Sequence, residues 1–89
     1  MSLFSKLGDI NEMKKQASAM QAMLAQEQVT ATNNGVTITM NGNQEILAVN
    51  IEEIALNNKS DLEKSIKDTL ADAIKQVQRL MASKLSGMM

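Results

Sequence analysis

The side chains best suited to chemistry in this sequence are cations. Lys64, Lys67, Lys75 and Arg79 fall within an arc of about 120° if residues 61–86 wind as a helix at roughly 100° per residue. Lys14 and Lys15 stand in a stretch, Met13–Gln26, that holds no carboxylate, and Lys6 precedes them. Such side chains neutralise phosphates and release the counterions condensed around nucleic acid. Gln16, Ser18 and Gln21 could add neutral hydrogen bonds to phosphate oxygens. The same residues also read as solvated helix surface. Asp61, Asp68 and Asp72 interleave with the later cations, and Lys64–Asp68 and Asp72–Lys75 are spaced for intrahelical pairs.

Other chemistries find little support. The chain has no histidine and no cysteine, so it offers no imidazole base, thiolate nucleophile or disulfide. Glu52 and Glu53 are adjacent and would point to opposite sides of a strand end, a poor acid/base pair. Ser60 reads as a helix cap rather than a nucleophile, and no calcium-loop or phosphate-loop spacing occurs. We expect no enzyme, no cofactor, no metal and no small-molecule substrate. Without Trp or Tyr, stacking on single-stranded bases is not expected. Nine basic and ten acidic residues leave a formal charge of −1, so any nucleic-acid contact must come from a local patch. The apolar runs are too short for a membrane span, and MSLFSKLGDINEMKK lacks a signal peptide's apolar core. These features predict a soluble cytoplasmic protein without a membrane partner.

The 89 residues make one domain. Leu3, Leu7, Ile10, Met13, Ala17, Met20 and Leu24 recur at helical spacing and predict a helix over about residues 3–27. β-Branched segments predict strands over about 29–32, 36–41 and 45–52. Asn33-Asn34-Gly35 and Asn41-Gly42-Asn43 provide the turns between them. Ile54 and Leu56 are expected to tuck into the core. Ser60 and Glu63 form a capping box for a last helix over about 61–86, which Gly87 would end. The fold class is α+β, in the order α-β-β-β-α, with a small antiparallel three-stranded sheet flanked by two long helices.

Length then implies a partner. A helix over 61–86 spans roughly 39 Å at about 1.5 Å per residue, whereas a compact chain of this size has a diameter of about 31 Å. The helices must overhang the sheet with Ala19, Met20, Met23, Leu24, Leu80, Met81 and Leu85 still on them. Exposed apolar stripes of that size mark a partner surface, and a second copy is the simplest occupant.

The segments FSKLGDINEMKKQASAMQAMLAQEQV, VTITMNGNQEILAVNIEE and LNNKSDLEKSIKDTLADAIKQVQRLMASKL resemble, in order, the first helix, central hairpin and last helix of the YbaB/EbfC family of bacterial nucleoid-associated proteins. The likeness covers nearly the whole chain, although the family's glycine-rich loop is shortened here to Asn33-Asn34-Gly35. The resemblance implies a tweezer-like homodimer, with the sheet regions associated and the helices projecting. It implies binding of double-stranded DNA with low sequence specificity, compaction or gene regulation, and a place on the cytoplasmic nucleoid. The DNA contacts would then be Lys6, Lys14, Lys15, Lys64, Lys67, Lys75 and Arg79. The dimer interface would include Met20, Met23, Leu24, Val36, Ile38, Leu80 and Met81. The alternative is a protein-interaction module whose Met13, Met20, Met23 and Met81 form an adaptable groove for a partner helix, without DNA binding.

Overall fold

A computed structural model describes the backbone of residues 3–88 and the side chains of residues 10–87. Helix α1 (Leu3–Gln26) leads into strands β1 (Gln28–Asn33), β2 (Val36–Asn41) and β3 (Ile46–Ile51). A single 3₁₀ segment (Glu53–Asn57) then leads into helix α2 (Lys59–Met88). The strands lie in the order β1-β2-β3 and pair antiparallel throughout, so the architecture is α-β-β-β-α.

Alternation builds the sheet. Val36, Ile38 and Met40 point to one face and are 0%, 2% and 1% exposed. Across the ladders they meet Ala31 and Val29 on β1, and Ile51, Val49 and Ile46 on β3. α2 covers this face with buried Ala73 and Val77, flanked by half-buried Leu62, Ile66, Leu70, Ile74 and Met81. Thr69 is also buried in that contact and donates its hydroxyl to the Ser65 carbonyl at 2.6 Å. The opposite face carries Thr30, Thr32, Thr37 and Thr39, which stay part-exposed.

The two hairpins turn by different means. Asn34 and Gly35 have φ of 48° and 85°, the pair of positive values that a type I′ turn requires. The second connection departs from the Asn-Gly turn its sequence suggests. There the left-handed residue is Gln44, at φ 63°. Asn41 organises the loop instead: its Oδ1 accepts from the Asn43 and Glu45 backbone N–H groups at 2.9 and 3.0 Å. Its Nδ2 donates to Glu45 Oε1 at 3.0 Å. Gly42 serves a close approach, because a Cβ there would lie 2.7 Å from the Leu24 carbonyl oxygen. The Gly42 N–H donates to that oxygen at 2.8 Å, a carbonyl at the end of α1 that also accepts from Glu27 N–H at 3.1 Å.

Three other expectations are corrected, and a bulge interrupts the β2–β3 ladder. Asn58, not Ser60, caps α2: its Oδ1 accepts from Asp61 N–H and its backbone oxygen from Leu62 N–H, both at 3.0 Å, so the helix starts at Lys59. Gly87 lies within α2 rather than ending it. Ile54 and Leu56 do not enter the core but stand 73% and 60% exposed, while Ala55 between them is half-buried. A bulge at Thr39/Met40 leaves Leu47 out of the ladder, so Ile46 rather than Leu47 faces Met40.

The molecule is elongated, 66 × 21 × 18 Å, with a radius of gyration of 18.6 Å. α2 crosses β1 and β2 but leaves β3 uncovered. Among the described residues α1 docks near its C-terminal end: Leu24 is buried and Met20 half-buried, but the other side chains from Ile10 to Met23 are exposed.

Candidate nucleic-acid interface

The outer surface of α2 follows from its inner one. Ser65, Thr69, Ala73 and Val77 face the sheet at four-residue steps, which turns Lys64, Lys67, Lys75 and Arg79 outward. All four are exposed. They extend over fifteen residue steps, about 22 Å along the axis. The intrahelical pairs that spacing offers are absent. Among the described residues the ion pairs are Lys59–Glu63 at 3.9 Å and Lys84–Glu27 at 2.9 Å. Asp72 is engaged elsewhere, since it accepts from Asn33 Nδ2 at 2.9 Å. That bond, with a second from Asn33 Nδ2 to Thr69 Oγ1 at 3.3 Å, ties the end of β1 to α2. Gln76 strengthens the same seam by donating to the Thr30 carbonyl at 3.1 Å.

On α1, Lys14 and Lys15 are exposed, as are Gln16, Ser18 and Gln21. The side chain of Lys6 lies outside the described residues. The structure brings the cations into two groups, one on the outer face of α2 and one on the α1 arm. Lys84 joins α2 to Glu27 at the foot of α1. The polar seam of Asn33, Asp72 and Gln76 carries no sequence signal beyond residue type, because each partner is remote in the chain.

The residues expected at a dimer interface divide sharply. Val36, Ile38 and Leu24 belong to the chain's own interior, with at most 6% of their surface exposed, and have almost nothing left to offer a second copy. Met20, Leu80 and Met81 are half-buried, and Met23 is exposed. Met20 and Met23 line an open cleft of about 820 Å³ between α1 and the last turns of α2, with Gln16, Ala19, Ser83 and Lys84. Met81 lines a separate small pocket of about 50 Å³ with Met20, Leu24, Lys84 and Leu85. Sequence reasoning missed a second apolar opening, on β3. There Ile46, Leu47 and Val49 are 51%, 47% and 54% exposed.

No group of acidic residues among the described residues could hold a metal ion, and no helix among them is long and apolar enough to cross a membrane.

The sheet is covered on one face by α2 while α1 projects, and both helices carry exposed cations. The YbaB/EbfC DNA-binding family model matches residues 2–89, and the chain belongs to that family. No curated protein matches it. Among solved structures it is similar to the crystal structure of the uncharacterized protein HP0035 from Helicobacter pylori. The identity is 21% and the TM-score 0.83, over 99% of this chain and 97% of the other. That likeness shows the fold. The family supports a nucleoid-associated DNA-binding role.

Proposed function

We propose that the chain acts as a homodimer that holds double-stranded DNA with low sequence specificity, and so compacts DNA or influences gene expression on the cytoplasmic nucleoid. The observation that carries this reading is a basic ridge, Lys64, Lys67, Lys75 and Arg79, standing clear of ion pairs on a member of a DNA-binding family. Lys14 and Lys15, with Lys6, add a second contact on the α1 arm. Readout of base edges is not expected, because the chain holds a single arginine, Arg79, and so no arginine cluster for forked contacts to guanine. The second copy would sit on the open face of β3, and Met20, Met23, Leu80 and Met81 could extend the contact along the arms. No catalytic role is proposed.

Fluorescence anisotropy of a labelled random duplex, titrated at several salt concentrations, tests the reading. The four ridge contacts alone predict a log–log salt slope of about −3.6 for each protomer engaged, and contacts from Lys6, Lys14 and Lys15 would steepen it. Lys64→Ala with Lys75→Ala should lower that slope by about 1.8 per protomer. Absence of binding at low salt would overturn the DNA reading. It would turn attention to the cleft of Met20 and Met23 and the small pocket of Met81 as a groove for a partner helix.

A further inference from the structure

We infer that Asn34 is a site of spontaneous deamidation, which adds a carboxylate to the cleft that Asn34 shares with Lys64. The chain holds two Asn-Gly dipeptides, Asn34-Gly35 and Asn41-Gly42. In such a pair the glycine nitrogen can attack the asparagine Cγ, because glycine has no side chain to obstruct the approach. A new N–C bond closes a five-membered succinimide. The side-chain amide leaves as ammonia, taking up the proton of the attacking N–H. Solvent water then opens the ring to aspartate or isoaspartate, so an amide and a water become a carboxylate and an ammonium ion. No electrons are transferred.

The structure treats the two dipeptides oppositely. Asn41 is 3% exposed, and all three of its side-chain hydrogen bonds hold the amide against Asn43 and Glu45. Its would-be nucleophile is also occupied, since Gly42 N–H donates to Leu24 O at 2.8 Å and Glu27 O at 3.1 Å. Asn34 is exposed, and among the described residues no hydrogen bond holds its amide. Of Gly35 only the carbonyl is engaged outside the ladder, accepting from Glu52 N–H at 2.8 Å. The attacking nitrogen and its target are therefore both free at residue 34 and both restrained at residue 41.

The product would not be silent. Asn34 lines a cleft of about 590 Å³ together with Lys64, Asp61 and Asp68. A third carboxylate there draws the Lys64 ammonium away from any phosphate. This consequence rests on the proposed DNA contact, whereas the modification itself does not.

The test is to age the purified protein at neutral to mildly alkaline pH and to locate acid-for-amide conversion by peptide mass spectrometry with fragmentation. A parallel sample is kept in denaturant. Conversion at Asn34 with Asn41 still an amide in the native protein, and conversion at both in denaturant, is the expected result. Equal conversion at both sites, or none at Asn34 in the native protein, overturns the inference. Asn34→Gly keeps a residue able to adopt positive φ and should abolish the acidic species on ion exchange. DNA titration of fresh protein, aged protein and Asn34→Asp separates the consequences. Weaker binding only in the last two is expected. If fresh protein does not bind at all, the DNA reading fails and the mass-spectrometric result still stands.

Discussion

Asn41 shows how much of the sheet rests on one polar side chain. It is buried, it supplies the acceptor for two backbone N–H groups, and its amide closes on Glu45. Asn41→Ala would leave both donors without that acceptor, so a loss of about 1–3 kcal/mol is expected on urea unfolding. Met40 next to it presents the apolar counterpart. It fills the sheet–helix interior at 1% exposure, and Met40→Ala should cost about 2–5 kcal/mol in the same measurement. The two neighbours were not equally legible. Alternation in VTITM placed Met40 on the buried face directly. Asn41-Gly42 reads locally as a type I′ turn, and only the arrival of the α1 terminus reveals that the glycine is needed because Leu24 comes so close. The exposed Lys84–Glu27 pair is a contrasting case: despite its 2.9 Å length, Lys84→Ala should change stability by less than about 1 kcal/mol.

Among the elements, α2 is secured along most of its length and α1 at one end. α2 gains its stability from the apolar seam with β1 and β2 and from the polar seam of Asn33, Asp72 and Gln76. α1 is 24 residues long, yet among the described residues its docking rests on Leu24, Met20, the Gly42 amide and the Asn43 side chain reaching the Gln21 carbonyl at 3.0 Å. Most helical stability in proteins comes from tertiary packing, so a helix held near one end is marginal. Gly42→Ala should therefore act on α1 selectively. Its Cβ would overlap the Leu24 carbonyl and force the helix terminus away. The expected outcome is faster amide hydrogen exchange across residues 10–23 and a loss of helical circular dichroism, with protection of β2 and of α2 from Ser65 to Val77 retained. Uniform loss of protection would show instead that α1 and the sheet unfold together. Periodicity revealed that α1 exists but not that its stripe goes uncovered. A repeat such as Ile10, Met13, Ala17 and Met20 states that a face is apolar, not whether the same chain supplies its cover.

At the scale of the whole molecule the uncovered surfaces decide the assembly. An 89-residue compact chain would have a radius of gyration of about 12 Å, and this one measures 18.6 Å. The excess comes from helices that outrun the sheet, as the length of the last helical repeat already indicated. What the sequence did not reveal is which apolar surface stays open, because Val36 and Ile38 look no different in sequence from Val49. The packing separates them: Val36 and Ile38 lie buried under α2, whereas Val49, opposite Ile38 on β3, stays 54% exposed. A second copy on this face predicts a specific response to Val49→Glu. In the isolated chain the new carboxylate would point from a half-open surface into water and cost little stability. Between two copies it would be buried without a partner, at a cost large enough to separate them. Sedimentation should then show the variant as a folded monomer with the circular dichroism of the parent. On a duplex it should keep the contacts of one protomer, with half the parent's salt slope, and lose the ability to bridge two DNA segments. A variant that sediments like a dimeric parent would place the contact elsewhere, with the cleft of Met20 and Met23 the next surface to charge. A monomeric parent would remove the basis for bridging by symmetry.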